Sequence, residues 1–210
     1  MEANKGSDAD APNRDAPSKW RLFVAIAVPA SARGALDQVQ RELKSSVPPR
    51  GVRWMPPEQF HLTLRFLGDV PLDLVAPLVE SLVKTCSHVQ PFSLRVRGIG
   101  FFPTARSPRV IWAGVESGDE RLVEFQRQIE AAVSCHVEGL APETFLAHVT
   151  LGRLQKYRRH SAERLLSPPE FCNARDFGEW QVEAAGLFRS ELSPAGARHS
   201  LVASCPLMTK

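Results

Sequence analysis

Two short stretches of this chain have the residue types of an acid–base site for phosphate chemistry. His61-Leu62-Thr63-Leu64 and His148-Val149-Thr150-Leu151 each carry an imidazole and, two residues on, a hydroxyl. An imidazole has an unperturbed pKa of about 6.5, so near neutrality one ring can be protonated while another is neutral. In a phosphodiester hydrolysis the neutral ring activates water and the imidazolium protonates the departing oxygen, from opposite sides of phosphorus. Thr63 and Thr150 share strand parity with their histidines, so each hydroxyl can face the same ligand and donate to a non-bridging oxygen. One histidine between apolar neighbours is ordinarily structural; two copies at one offset point to a paired site.

Both motifs need strands to present them. Phe60, Leu62, Leu64 and Phe66 alternate with His61, Thr63 and Arg65, which predicts one buried and one ligand-facing side. An apolar run at residues 21–28 precedes the first motif, followed by a helical pattern through Leu36, Val39 and Leu43. A similar run at residues 109–115 precedes the second, followed by Leu122, Phe125, Ile129 and Ala132 on one helical face. His61 follows Arg21 by 40 positions and His148 follows Arg109 by 39.

Helices are expected next at 73–84 and 161–166, and strands at 92–99 and 180–188. The pattern reads as a β-α-β-α-β unit used twice, an α+β architecture whose pseudo-two-fold packing would bring the two histidines face to face. Ser31 is a candidate helix N-cap, and Ser117 with Glu120 has the spacing of a capping box. Pro77 falls near the start of its helix, where a missing N–H costs least.

At 210 residues, 43% hydrophobic and 23% charged, the chain can bury a core, and a fold of 19–210 as one bilobal domain is expected. Residues 1–18, polar and without apolar periodicity, read as a disordered leader lacking the apolar centre of a signal peptide. No stretch reaches the roughly 18 apolar residues of a membrane span, so a cytoplasmic protein without a membrane partner is expected. Cys86, Cys135, Cys172 and Cys205 are far apart and form no C-x-x-C pair, which disfavours a zinc ribbon or a disulfide framework.

The net charge of +3 is too small to argue nucleic-acid binding by itself. Arg153, Lys156, Arg158, Arg159 and His160 cluster after the second motif; as a group they read as a solvated basic loop. Arg153 is the candidate for neutralising phosphate charge, although its parity is wrong for the cleft unless Gly152 bends the strand. Arg65 has the right parity in the first copy. Trp54, Trp112 and Phe23 could stack on a base, but aromatics in apolar runs are more often core.

Together these segments resemble the 2H phosphoesterase superfamily, and within it the RNA 2′,3′-cyclic phosphodiesterases of the LigT/ThpR type, historically called 2′-5′ RNA ligases. The carriers are Arg21-Leu-Phe-Val-Ala-Ile26, Val52-Arg-Trp-Met-Pro-Pro-Glu-Gln-Phe-His-Leu-Thr-Leu-Arg-Phe-Leu-Gly-Asp69, Pro108-Arg-Val-Ile-Trp-Ala-Gly114 and Phe145-Leu-Ala-His-Val-Thr-Leu-Gly-Arg153. The resemblance implies a bilobal fold with two antiparallel sheets flanking a cleft. It implies a substrate of RNA or nucleotide 2′,3′-cyclic phosphate ends, a 2′-phosphomonoester product, reverse 2′-5′ joining on suitable RNA ends, and a monomer needing no metal or other cofactor.

It further implies His61 as proton donor, His148 as proton acceptor, and Thr63, Thr150 and Arg153 as phosphate-binding residues. Two departures stand out: Ala147 where many relatives have proline, and Arg198-His199-Ser200 where many have an aromatic residue near the C-terminus. The second bears on the far wall of the cleft and on nucleoside preference.

Two other functions compete. A nucleotide- or RNA-binding module without turnover would keep the cleft but would not require both histidines. A metallohydrolase would need carboxylates or cysteines at ligand spacing beside them.

Overall fold

Alternating and helical apolar patterns become, in chain order, β1 (Lys19–Ala27), α1 (Ala30–Ser46), β2 (Val52–Trp54), β3 (His61–Pro71), α2 (Val75–Cys86), β4 (Phe92–Phe102) and β5 (Val110–Glu116). They continue with α3 (Arg121–Ser134), β6 (His148–Leu154), β7 (Asp176–Val182), β8 (Ala184–Ser193) and β9 (Gly196–Pro206). The structure, a computed structural model, describes residues 18–46, 51–104, 107–137, 144–154, 175–193 and 196–208. The expected leader apart from Ser18, the expected helix at 161–166, the basic residues 156 and 158–160, and Cys172 lie outside the described residues.

The strands form an antiparallel sheet in the order β7-β4-β5-β6-β3-β1-β8-β9, with β2 added to β6. The fold is α+β, and the two expected sheets are halves of one curled sheet. They meet at the motif strands through a single residue pair, Leu62 with Val149. From that centre outward each half runs from its motif strand to the strand that opens its unit, β1 or β5. The third strands trade places: β4 pairs with β5, and β8 pairs with β1. The β4–β5 pairing follows from the short connection between consecutive antiparallel strands.

The core lies between this sheet and the three helices. Leu36, Val39 and Leu43 of α1, Leu78 and Leu82 of α2, and Leu122, Phe125, Ile129 and Val133 of α3 are buried against Leu22, Val24, Leu62, Leu64, Ile111 and Val149. Each such side chain contributes about 1.5–3 kcal/mol of burial, so the helices anchor the sheet and leave its other face to the cleft.

Several local expectations give way to neighbouring chemistry. Residues 72–74 form a 3-10 turn, and α2 starts at Val75 with Pro77 in its first turn. Ser31 lies inside α1, which begins at Ala30. At the start of α3 the Ser117–Glu120 box does not form: the Asp119 carboxylate accepts the Arg121 N–H at 3.1 Å, and the Ser117 hydroxyl donates to the Asp119 carbonyl. The single strand expected at 180–188 breaks at Glu183 into β7 and β8, which pair with different halves.

Candidate active site

His61 and His148 each open a strand at the seam between the halves. Leu62 and Val149 are fully buried, which turns the residues on either side of each toward the other face. The Leu62–Val149 register puts His61 across from Thr150 and Thr63 across from His148. Two imidazoles therefore occupy one diagonal of a four-residue square and two hydroxyls the other, a diagonal of about 7–8 Å between backbone positions. That spacing admits one phosphate between the rings.

The two rings are held in the same way. Nδ1–H of His61 donates to the Gln59 carbonyl at 2.7 Å, and Nδ1–H of His148 donates to the Leu146 carbonyl at 2.7 Å. A carbonyl can only accept, so Nδ1 carries the proton and Nε2 is left as the working nitrogen of both rings. Neutral, that nitrogen is a base; protonated, it is an acid.

A bulge after each threonine sets what comes next. Between β1 and β3 the register slips so that Leu64 is extra, and between β5 and β6 Leu151 is extra. An extra residue inverts the in–out parity downstream. Arg153 therefore emerges on the cleft face, and Gly152 lies under β2. A Cβ on Gly152 would sit 2.7 Å from Val52 Cγ1 and 3.0 Å from Trp54 Cε3, so the close approach of β2 requires glycine.

In the first copy the same slip moves Arg65 off the cleft, where Nε pairs with the Glu130 carboxylate of α3 at 3.1 Å. It brings out Phe66, which is 57% exposed and lines the cleft. Strict alternation had placed Phe66 in the core and Arg65 at the ligand. Phe66 and Arg153 are thus corresponding positions, each five residues after a motif histidine.

Aromatic rings back both histidines. Phe23 lies 5.0 Å from His61 and is stacked on Phe188 at 5.4 Å; Phe102 lies 5.0 Å from His148 and is stacked on Trp112 at 5.1 Å. Burial pushes His61 down to about 4, with the neighbouring charges of His199, His148 and Arg153 adding to the effect against the Gln59 hydrogen bond. His148 is also lowered, by burial first and Arg153 second. His199 of β9 stands edge-on to His61 at 5.3 Å and is lowered for the same reasons. The Arg153 charge thus acts on all three imidazoles.

These groups line a cleft of about 830 Å3, within the roughly 300–1,000 Å3 range of ligand sites. Arg21, Arg53, Arg153 and Arg198 line it together with Thr63, Thr150 and Trp54, and no Asp or Glu does so among the described residues. Such a surface selects an anion. Among the described residues no three of His, Cys, Asp or Glu converge to hold a metal. Phe23 lies at the floor of the cleft against His61, Trp112 backs His148 from beneath, and Trp54 lines the cleft beside Arg53.

Sequence reasoning missed Phe66 and Arg53, and it reached the His199 segment only through the resemblance, as part of the far wall of the cleft and without its place beside His61. The shared five-residue offset could have found Phe66. Arg53 becomes visible only once β2 pairs Arg53 with Arg153, and His199 lies on a strand for which no local signal was read.

Comparison with known proteins gives a consistent likeness. Residues 26–112 match the family model described as LigT like Phosphoesterase, a span that contains the first motif. The RNA 2′,3′-cyclic phosphodiesterase of Thermus thermophilus is 35% identical over 87% of this chain and 87% of its own length. The protein of the same name from Thermotoga maritima is 31% identical over 88% of this chain and 94% of its own. A crystal structure of a Thermus thermophilus protein superposes with a TM-score of 0.70 at 32% identity, covering 89% of this chain and 97% of that one.

Proposed function

The chain belongs to the LigT-like phosphoesterases, and on that premise we propose that it is a hydrolase opening RNA or nucleotide 2′,3′-cyclic phosphates to 2′-phosphomonoesters by two-histidine acid–base catalysis without a metal. What carries the reading is the seam itself: two imidazoles anchored identically through Nδ1, on the diagonal opposite two threonine hydroxyls.

His148 Nε2 takes a proton from water as its oxygen bonds to phosphorus. The bond from phosphorus to O3′ breaks, and His61 Nε2–H delivers its proton to O3′, leaving a 2′-phosphate and a 3′-hydroxyl. Thr63, Thr150 and Arg153 receive the charge that gathers on the non-bridging oxygens. With a 5′-hydroxyl in place of water the same displacement, O3′ again leaving, joins RNA ends through a 2′-5′ linkage. The guanidinium supplies the positive charge for which other hydrolases use a metal ion, so turnover should survive excess chelator.

The low basicity of His61 gives the acid step a condition. At neutral pH its resting form is the neutral ring, which cannot donate from Nε2. A phosphodiester anion between the rings offsets the desolvation that disfavours the imidazolium, so the substrate brings the conditions for its own protonation.

Phosphorus NMR of the product formed from a nucleoside 2′,3′-cyclic phosphate tests the proposal. A 2′-phosphate formed by the wild type, and no turnover in His61→Ala or His148→Ala with nucleotide binding retained, is expected. A 3′-phosphate product overturns the regiochemistry, and substantial turnover in either variant overturns the roles of the histidines.

A further inference from the structure

Gln40 is fully buried, the one buried polar side chain among the described residues, and it lies on α1, away from the cleft face. Its amide is fully used. Nε2 donates to the Met55 carbonyl at 2.7 Å and to the Leu151 carbonyl at 2.9 Å, while Oε1 accepts from Lys44 Nζ at 2.7 Å. Two carbonyls demand the NH2 side and the ammonium demands the oxygen, so the amide has one orientation. Met55 N–H also donates to the Leu151 carbonyl at 2.9 Å, closing a knot among α1, the residues after β2, and β6.

Leu151 is the bulge residue of the second motif, between Thr150 and Arg153. We infer that Gln40 is a positioning residue for phosphate recognition: by holding the Leu151 carbonyl toward α1 it keeps the extra residue on the core side and so delivers Arg153 to the cleft. By holding Met55 it also keeps β2 on β6, with Arg53 across from Arg153.

The first motif has a looser counterpart. Gln126 of α3 donates to the carbonyl of Leu64, the other bulge residue, at 3.4 Å. Each bulge is therefore gripped by a helix from the opposite half, and the grip is tighter where the downstream residue is the arginine. The inference rests on the phosphate-binding role proposed for Arg153.

A double-mutant cycle on kcat/KM with a nucleoside 2′,3′-cyclic phosphate separates the two ideas, thermal unfolding being followed in all four proteins. Arg153→Ala should cost about 10- to 100-fold, the range of a lost charge-assisted hydrogen bond. Gln40→Met should cost about tenfold in the wild type and less than about twofold once Arg153 is gone, while lowering the unfolding temperature equally in both backgrounds. An equal cost of Gln40→Met on kcat/KM in both backgrounds, or none in a folded wild-type background, overturns the inference and leaves the role of Arg153 standing. No effect of Arg153→Ala overturns that role and the inference together. If Gln40→Met does not fold, Gln40→Glu, which keeps the side chain's shape and its Lys44 contact but cannot donate to both carbonyls, should show the same non-additivity at about threefold; additivity there overturns the inference.

Discussion

Burial of His61 sets a measurable separation between free and substrate-bound enzyme. With the ring at about 4, roughly one molecule in a thousand carries the imidazolium at pH 7, against roughly one in four at the unperturbed value. His148 and His199 are lowered as well, and the Arg153 charge bears on all three. The two limbs of the kcat/KM profile, which report the coupled pair in the free enzyme, should therefore both lie below pH 6.5. Substrate adds an anion within contact distance of the rings, which favours the charged form by about 1–3 pH units. The basic limb of kcat should then lie that far above the basic limb of kcat/KM. Initial rates with a nucleoside 2′,3′-cyclic phosphate from about pH 4 to 9 at fixed ionic strength, together with an NMR titration of the ring in free enzyme, supply both quantities. Coincident basic limbs, or a free His61 ring titrating at 6.5 or above, would refute the reasoning.

Other substitutions test neighbouring claims. Arg65→Ala should leave KM within about twofold of wild type while costing about 1–3 kcal/mol of stability, since Arg65 pairs with the largely buried Glu130 carboxylate away from the ligand; a KM increase matching that of Arg153→Ala would reject the parity inversion. Gly152→Val puts atoms where Val52 and Trp54 already sit and should destabilise by about 1–3 kcal/mol in urea unfolding while raising KM. The unfolded state binds a proton at His61 below about pH 6.5 that the folded state refuses until about 4, so stability is lost as pH falls through that window. His61→Gln should remove up to about 2–3 kcal/mol of the stability difference between pH 7 and pH 4.5; an unchanged difference would show that the ring is not the source.

The features that were legible in the sequence share one property: they depend on local periodicity. The motif strands, the helices that follow β1 and β5, and the parity of His61 and Thr63 all come from spacing within a few residues. Bulges do not, because a single extra residue leaves no compositional mark. Arg65 and Phe66 were therefore assigned to each other's faces, while Arg153 had to wait for Leu151. Long-range pairing was equally opaque. Nothing near residue 199 says that β9 folds back against β8 and sets His199 beside His61, because that contact is fixed by partners outside the local window. Gln40 carries no local mark of its role, because the carbonyls it meets lie 15 and 111 residues away in the chain.

The exchange of β4 and β8 between the halves bears on how this molecule can be taken apart. A fragment ending after β4 would keep the first histidine yet lack β8, the strand that seals the flank of β1, and would present β4 with no mate on either side. The complementary fragment would keep β8 paired with β9 but leave its other edge without β1. Severing the backbone between the motifs should thus yield pieces that regain order only by recombining, so that reconstitution of activity from two inert peptides becomes a direct gauge of how the halves interlock.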